Sequence, residues 1–403
     1  MPFRGTLLTL GLWTSLVSVL PAAAPLVFQT ARVFDGARMA PEADVLVRDG
    51  LIEALGPNIS VPAAAQTTDG RGKTRLPGLI DAHAHVWMRP ALKPQRPFGV
   101  TTVLDMFTTV PSAAMCKQQS AGAAADRAHL FSAGTIKVPT LTDPSQAQPF
   151  VDARIAEGSD DIKLILDDGA AYGGRRPTLS RAALTAAIAA AHKRGKLAVV
   201  HIATLQDAEE AISAGADGLA HLFIGPKSPP DFARLVASHH AFVVPTLTKL
   251  QSVCGTPGGE PLLTDPHMAP YLDAFSIANL KKAFTLPIKP SCDGAREAVK
   301  QLRAAGVPIL VGDDGLNPGT APGATEHREL ELLVEAGLTP TGALTGATSA
   351  AARAFHLDDR GAIAPGKRAD LLLVNGDPTS DIKATRDIVG VWKDGVAVER
   401  ATR

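Results

Sequence analysis

Short apolar runs alternate with helical segments through the middle of the chain, and this alternation most limits what the chain can fold into. About eight such runs follow one another between residues 79 and 312. Strands of a parallel sheet are covered by helices, so they read as nearly uninterrupted apolar runs. Eight strands in a segment of about 250 residues are the size of a (β/α)8 TIM barrel. We therefore predict an α/β fold with a TIM barrel built on the strands Leu79–Ala82, Thr101–Asp105, His129–Ser132, Ile162–Leu166, Leu197–His201, Gly218–Leu222, Phe242–Thr246 and Ile309–Gly312.

Two of the intervening helices carry clear end signals. One is predicted to begin after Ser180, a helix-capping residue, and to stop at Gly195. Another is predicted from Thr204 to Gly215 on the same grounds. In such a barrel the reactive residues lie at the carboxyl ends of the strands.

Both chain ends instead show short alternating strands separated by turn residues. Asp49-Gly50 follows one such strand near the N-terminus, and Asn375-Gly376 and Asp394-Gly395 follow others near the C-terminus. Dipeptides of this kind between apolar runs are typical of β-hairpins. We predict a small β-sandwich domain formed by residues 25–75 together with 361–403, with the barrel, residues 76–360, inserted between them.

The composition excludes several classes of protein. The chain has 403 residues with 40 Lys+Arg and 40 Asp+Glu, so its formal charge is zero. Nucleic-acid-binding chains normally carry a clustered positive excess, and we expect no nucleic-acid partner. A hydrophobic share of 45% is too high for a disordered chain. A homo-oligomer is compatible with this composition. The three cysteines, Cys116, Cys254 and Cys292, allow at most one disulfide and lack the spacing of a zinc cluster.

The first 24 residues have the pattern of a secretory signal peptide. Arg4 precedes an apolar stretch from Leu7 to Leu20, which then meets the small residues Ala22 to Ala24. A membrane anchor is the alternative, but it needs about 20 apolar residues. We therefore predict that residues 1–24 are cleaved and that the mature chain is secreted or periplasmic, with no membrane contact after cleavage.

A pair of histidines at the end of the first predicted barrel strand indicates a metal site. His83 and His85 are two positions apart, so in an extended chain both imidazoles point the same way. Two convergent neutral imidazoles at a barrel mouth can hold a divalent metal. A pair of surface histidines is the alternative interpretation of this motif alone.

Other strand ends carry further groups that bind metals or transfer protons. His201 ends the fifth strand, His221 ends the sixth, and Asp314 follows the eighth. Lys163 lies among apolar residues of the fourth strand, where a charged side chain is unusual and indicates a specific role. A buried lysine loses its proton more readily, and a neutral amine reacts with carbon dioxide to give a carbamate with two oxygens.

Together these residues resemble the metal-dependent hydrolases of the amidohydrolase superfamily. The resemblance covers nearly the whole chain after residue 24 and includes the segment from Gly361 to Asp370, which is similar to the family's return into its β domain. The branch it resembles is imidazolonepropionase-like and includes Xaa-Pro and Xaa-Arg dipeptidases and ochratoxinase-like amidohydrolases. Where the family usually has Gly-Thr-Asp, this chain has Gly312-Asp313-Asp314, so the role of Asp313 is open.

The resemblance implies a binuclear centre and a reaction. Two divalent ions, with zinc as the first expectation, would activate a bridging hydroxide that attacks an amide, peptide-like or cyclic amide C–N bond of a small molecule. Asp314 would be the general acid and base. The implied ligands are His83 and His85 for the first ion, His201 and His221 for the second, Lys163 as a bridging carbamate, and Asp314 completing the first site.

Three alternatives remain open from the sequence. A lactonase or phosphotriesterase would use the same activated water on a different electrophile. A mononuclear deaminase would need only one ion, and a non-catalytic family member would bind partners on the same scaffold. Substrate contacts are expected from loops that follow the strand ends, namely from Trp87, Phe107, Tyr172, Arg175 or Arg176, Phe223, Lys249 and Asn317.

Overall fold

The computed structural model describes residues 24–87, 92–120, 126–135 and 141–402. The predicted signal peptide, residues 1–24, lies outside these residues except for Ala24. None of the helices in the described ranges has the length and apolar character needed to cross a membrane.

The chain is an α/β protein with parallel sheets in its middle and a mixed sheet at its ends. The strands are β1 (Leu26–Phe34), β2 (Met39–Arg48), β3 (Leu51–Gly56), β4 (Gln66–Asp69), β5 (Lys73–Pro77), β6 (Leu79–Ala84), β7 (Val100–Asp105), β8 (His129–Ser132), β9 (Ile162–Leu166), β10 (Ala198–Ile202), β11 (Gly218–Ala220), β12 (Phe242–Val244), β13 (Leu371–Asn375), β14 (Ile388–Lys393) and β15 (Val396–Ala397). The helices are α1 (Val110–Ser120), α2 (Ala147–Ala156), α3 (Arg181–Lys193), α4 (Leu205–Ser213), α5 (Pro230–Ser238), α6 (Leu247–Val253), α7 (Ala274–Leu280), α8 (Asp293–Ala304), α9 (Ala324–Glu335), α10 (Pro340–Gly346) and α11 (Ser349–Ala354).

Strands from both chain ends share one sheet. Its order is β15-β14-β13-β5-β1-β2-β3, with β4 beside β1. The C-terminal β13 pairs antiparallel with the N-terminal β5, and Leu371 lies opposite Pro77. One face of this sheet buries a core of residues from both ends, including Phe28, Ile52 and Trp392.

Two parallel sheets make up the middle of the chain. One contains β6, β7 and β8, and the other contains β9 to β12 in chain order. Segment 309–312 lies between them, because Leu310 N donates to Val243 O of β12 and Ala82 N of β6 donates to Val311 O. All these strands run in the same direction, so their carboxyl ends meet at one edge.

Helix ends follow the predicted signals. The Ser180 side chain accepts a hydrogen bond from Ala183 N at the start of α3. Thr204 and Asp207 form a reciprocal capping pair at the start of α4. Both predicted helices are thereby confirmed, since capping satisfies backbone N–H groups that have no partner within a helix.

Three predicted strands are shorter in the structure. β11 ends at Ala220 because His221 adopts a left-handed backbone with φ 77°. β12 ends at Val244 because Pro245 has no N–H to continue a ladder. The predicted eighth strand forms only an isolated bridge, between Ile309 and Val243.

One disulfide lies beside the carboxyl edge of the parallel strands. Cys254 and Cys292 are bonded, with Cα atoms 6.2 Å apart, and Cys116 is buried. The bond joins the end of α6 to the start of α8, so it fixes both ends of the segment between them.

Candidate metal centre and active site

The six side chains predicted as metal ligands surround one cavity at the carboxyl edge of the parallel strands. The cavity has a volume of about 630 Å³. Residues that are up to 231 positions apart in the sequence therefore meet in one place, at the common edge where the parallel strands end. They are His83 in β6, His85 directly after it, Lys163 in β9, His201 in β10, His221 directly after β11, and Asp314 after segment 309–312.

Asp314 lies at the centre of this group. Its Oδ1 is 2.7 Å from His85 Nε2 and 3.5 Å from His83 Nε2. Its Oδ2 is 3.8 Å from His221 Nδ1. The imidazole rings of His201 and His221 are 4.6 Å apart between centroids. His83, His85 and Asp314 each offer a ligand atom within 4.8 Å of the others, which is close enough for one cation to bind all three.

The local backbone holds these side chains in place. His221 and Asp314 both have positive φ, 77° and 54°, which is rare for residues other than glycine and concentrates at functional sites. Asp314 N donates to His83 O at 2.7 Å. Gly312 allows this close approach, since a Cβ atom there would lie 2.5 Å from His83 N.

Three of the histidines have one ring nitrogen bound to a protein group. His85 Nδ1 donates to Phe107 O at 3.0 Å. His201 Nε2 donates to Asp167 Oδ2 at 3.2 Å, and His221 Nδ1 is 2.7 Å from Thr246 Oγ1. The other nitrogen of each ring can then serve as a ligand for a cation. Metal-binding histidines have this arrangement, because the outer partner fixes the tautomer and the ring orientation.

Protonation states in the group also suit cation binding. Burial lowers the pKa of His83 and His221 well below the ordinary value and that of His201 to about 4. Burial likewise lowers the pKa of Lys163 to about 7. For Asp314, burial opposes ionisation, but the neighbouring imidazoles of His83 and His85 outweigh it and hold the pKa below its usual range. Neutral imidazoles and an ionised carboxylate are the forms that bind metals.

Asp313 lies away from the cavity. It is fully buried together with Asp81 and Glu326. One carboxylate oxygen from each of these three residues lies within 4.8 Å of the other two. Thr325 Oγ1 donates to Asp313 Oδ2, and burial raises the pKa of Asp313 well above its usual value. The residue that departs from the family pattern therefore belongs to a buried acidic group behind Asp314, which the sequence did not indicate.

Most of the predicted substrate contacts lie on the cavity wall. Phe223 does not. It is buried and packs against Phe232 with ring centroids 5.2 Å apart. The left-handed turn at His221 takes the chain out of the extended conformation, so side-chain alternation along β11 does not continue to Phe223. The predicted residues that line the cavity are Trp87, Phe107, Tyr172, Arg175, Arg176, Lys249 and Asn317.

Sequence reasoning missed an apolar part of the wall. Phe284, Leu286 and Pro287 lie between α7 and α8 and face the cavity. The Cys254–Cys292 disulfide closes the loop that contains them. They follow no strand end, so the rule that identified the other residues gives no signal for them.

Comparison with known proteins identifies the family. The amidohydrolase family matches residues 92–398, a range that begins after His83 and His85. An imidazolonepropionase from Cereibacter sphaeroides is 28% identical over 400 residues, covering 88% of this chain and 93% of that enzyme. The chain belongs to the amidohydrolase family and is a hydrolase acting on carbon–nitrogen bonds.

Solved structures show the same fold. A Xaa-Pro dipeptidase with bound methionine in its active site matches with a TM-score of 0.74 and 21% identity, over 93% of this chain and 100% of that one. Ochratoxinase from A. niger matches with a TM-score of 0.70 and 18% identity, over 93% and 96%.

The predicted secreted or periplasmic location is wrong. The imidazolonepropionases that match over most of their length are cytoplasmic enzymes of histidine degradation. The prediction rested on the composition of residues 1–24, of which 1–23 lie outside the described residues. A short apolar run after one arginine also occurs in segments that are not signal peptides.

Proposed function

We propose that this chain is a binuclear metal-dependent amidohydrolase that cleaves an amide, peptide-like or cyclic amide bond of a small molecule. The observation that carries the proposal is the set of histidines around one cavity, three of which have an outer partner that leaves the inner nitrogen available. A buried lysine between them supports two ions rather than one, since its carbamate offers an oxygen to each.

The residues divide into two ligand sets. His83, His85 and Asp314 would hold the first ion, and their ligand atoms already lie within 4.8 Å of one another. His201 and His221 would hold the second, with Lys163 as a carbamate shared by both. When bound, two divalent ions activate water as a nucleophile and polarise the carbonyl of the substrate. Zinc fits this donor set, although histidine-rich sites also accept other transition metals.

Asp314 is the residue that moves the proton. Its Oδ1 lies 2.7 Å from His85 Nε2, and its Oδ2 lies 3.8 Å from both His221 Nδ1 and Lys249 Nζ. Its lowered pKa keeps Asp314 ionised at neutral pH, which is the form that can accept the proton of the attacking water. It then delivers that proton to the leaving nitrogen.

The finer architecture belongs to the same proposal. Hydrogen bonds from segment 309–312 to β12 on one side and from β6 on the other support closure of the two parallel sheets into a (β/α)8 barrel. A hydrogen bond from Asp160 N to Ser132 O links the other edges of these sheets. The core shared by both chain ends supports a β-sandwich formed by residues 25–75 and 361–403.

A substrate panel tests the proposed reaction. We expect the metal-loaded protein to hydrolyse members of a set of N-acyl amino acids, dipeptides and cyclic amides faster than lactones or phosphotriesters. Removal of metal with a chelator should abolish the activity, and added Zn²⁺ should restore it. Preferential cleavage of lactones or phosphotriesters, or amide cleavage that survives complete metal removal, would contradict the proposal.

Asp167 offers a test of the second ligand set. Asp167→Ala removes the acceptor of His201 Nε2, so we expect metal affinity to fall by about 10- to 100-fold. Titration of the metal-free protein against a competing chelator measures this change. Asp168→Ala is the matched control, because that neighbouring carboxylate pairs with the exposed Arg175 instead. Equal metal affinities for the two variants would argue that His201 is not a metal ligand.

A further inference from the structure

Lys249 is a buried cation on the cavity wall. It lies in the first turn of α6, its side chain is 6% exposed, and its Nζ is 3.8 Å from Asp314 Oδ2. Glu329 fixes this turn, because its carboxylate accepts hydrogen bonds from Leu247 N and Thr248 N, both at 2.7 Å. The backbone from which the Lys249 side chain extends is therefore held by the fold.

The two arginines on the wall are already paired. Arg175 donates to Asp168, and Arg176 pairs with Asp167. Among the described residues, the one ion pair of Lys249 is with Asp314, at a distance longer than a hydrogen bond. Asp314 Oδ1 lies 2.7 Å from His85 Nε2. In the described part of the chain, Lys249 therefore has a counter-ion nearby but none at hydrogen-bond distance, and its ammonium can donate to a further anion.

We propose that Lys249 binds the carboxylate of the substrate and selects amides whose leaving group is an α-amino acid. This inference rests on the proposed function, because Asp314 is taken to protonate the leaving nitrogen. In an α-amino acid the carboxylate carbon is two bonds from that nitrogen, about 2.5 Å away. Lys249 and Asp314, at 3.8 Å, are spaced to contact the carboxylate and the nitrogen of one such group. A carboxylate on a longer side chain would extend beyond Lys249.

The rest of the wall indicates what the amino acid and its acyl group look like. Trp87 and Phe107 contact each other edge to face near His85, and Phe284, Leu286 and Pro287 form the opposite apolar part. Apolar walls around an ammonium that can donate to a further anion suit a substrate that is apolar except for one carboxylate. N-acyl derivatives of apolar amino acids, such as N-acyl-leucine, have this chemistry.

A matched pair of substrates tests Lys249. The metal-loaded protein is assayed with N-acetyl-leucine and with N-acetyl-leucinol, in which a neutral hydroxymethyl group replaces the carboxylate. For Lys249→Met we expect kcat/KM on the acid to fall by about 10- to 100-fold, mainly through KM, because a charge-assisted hydrogen bond is lost. The rate on the alcohol should fall much less, so the readout is the acid-to-alcohol preference, because the loss of the ammonium beside Asp314 acts equally on both substrates. Lys249→Arg should keep most of the preference for the acid.

Controls separate the possible failures. Lys193→Met removes an exposed lysine of α3 and should change neither rate. Calorimetric binding of leucine and leucinol to the same variants gives a second readout that does not need turnover. Equal losses on both substrates, or loss of the preference in Arg175→Met but not in Lys249→Met, would overturn the subsite. Wild-type protein that cleaves amides without preferring the acid also overturns it while leaving the proposed function intact, whereas failure to cleave any amide defeats both.

Discussion

Replacing Asp314 by asparagine is expected to lower the turnover number by at least about 10²-fold, the scale of a general acid–base contribution. Asparagine keeps an oxygen for a cation and has nearly the same shape, but it cannot accept the proton of the attacking water. We therefore expect the variant to retain its bound metal. Steady-state kinetics on the best amide of the substrate panel, with metal analysis of the same sample, measures both effects.

A matched carboxylate variant controls for this change. Asp231→Asn alters an exposed residue in the first turn of α5 that does not line the cavity, and it should keep wild-type rates. Near-normal turnover in Asp314→Asn would show that another group moves the proton. Loss of metal together with activity would indicate that Asp314 acts as a metal ligand and not as the proton-transfer group.

Replacing Lys163 by alanine is expected to remove most of the second metal ion and most of the activity. Burial lowers the pKa of this lysine to about 7, so much of it is the neutral amine that carbon dioxide modifies. Alanine has no amine, and the two ligand sets then lose their shared group. Metal analysis should fall from about two equivalents per chain to about one. Small carboxylic acids such as formate should restore part of the activity by taking the place of the carbamate.

Folding of this variant needs its own check, because Lys163 lies within β9. Lys163→Gln keeps the length of the side chain but cannot form a carbamate, so it should lose metal in the same way. Thermal unfolding of both variants separates a damaged fold from a damaged site. Two retained metal equivalents in folded Lys163→Gln would rule out the bridging role.

The candidate site could be predicted from the sequence through one topological rule. Parallel strands end at a common edge, so His83, His201, His221 and Asp314 were expected to meet although they are far apart in the chain. The structure places all of them on the same cavity. The helices that begin after Ser180 and Thr204 could also be predicted, since helix periodicity and capping depend on residues only a few positions apart.

Features that depend on tertiary packing could not be predicted from the sequence. Phe223 was expected at the cavity because it follows a strand end, but the chain turns at His221, which has a positive φ, and Phe223 packs against Phe232. The pairing of Arg175 with Asp168 and the approach of Lys249 to Asp314 depend on how loops fold over the strand ends. The partners of Asp313 come from β6 and α9, which no local pattern relates to it. Residues 88–91, between the histidine pair and β7, lie outside the described part of the chain.

Anomalous diffraction from crystals of the zinc-loaded protein tests the central claim most directly. The account predicts two metal peaks in the cavity, one beside His83 and His85 and the other beside His201 and His221, with extra density on the Lys163 amine between them. A single peak, or peaks that leave Lys163 an unmodified amine without metal contact, would contradict it.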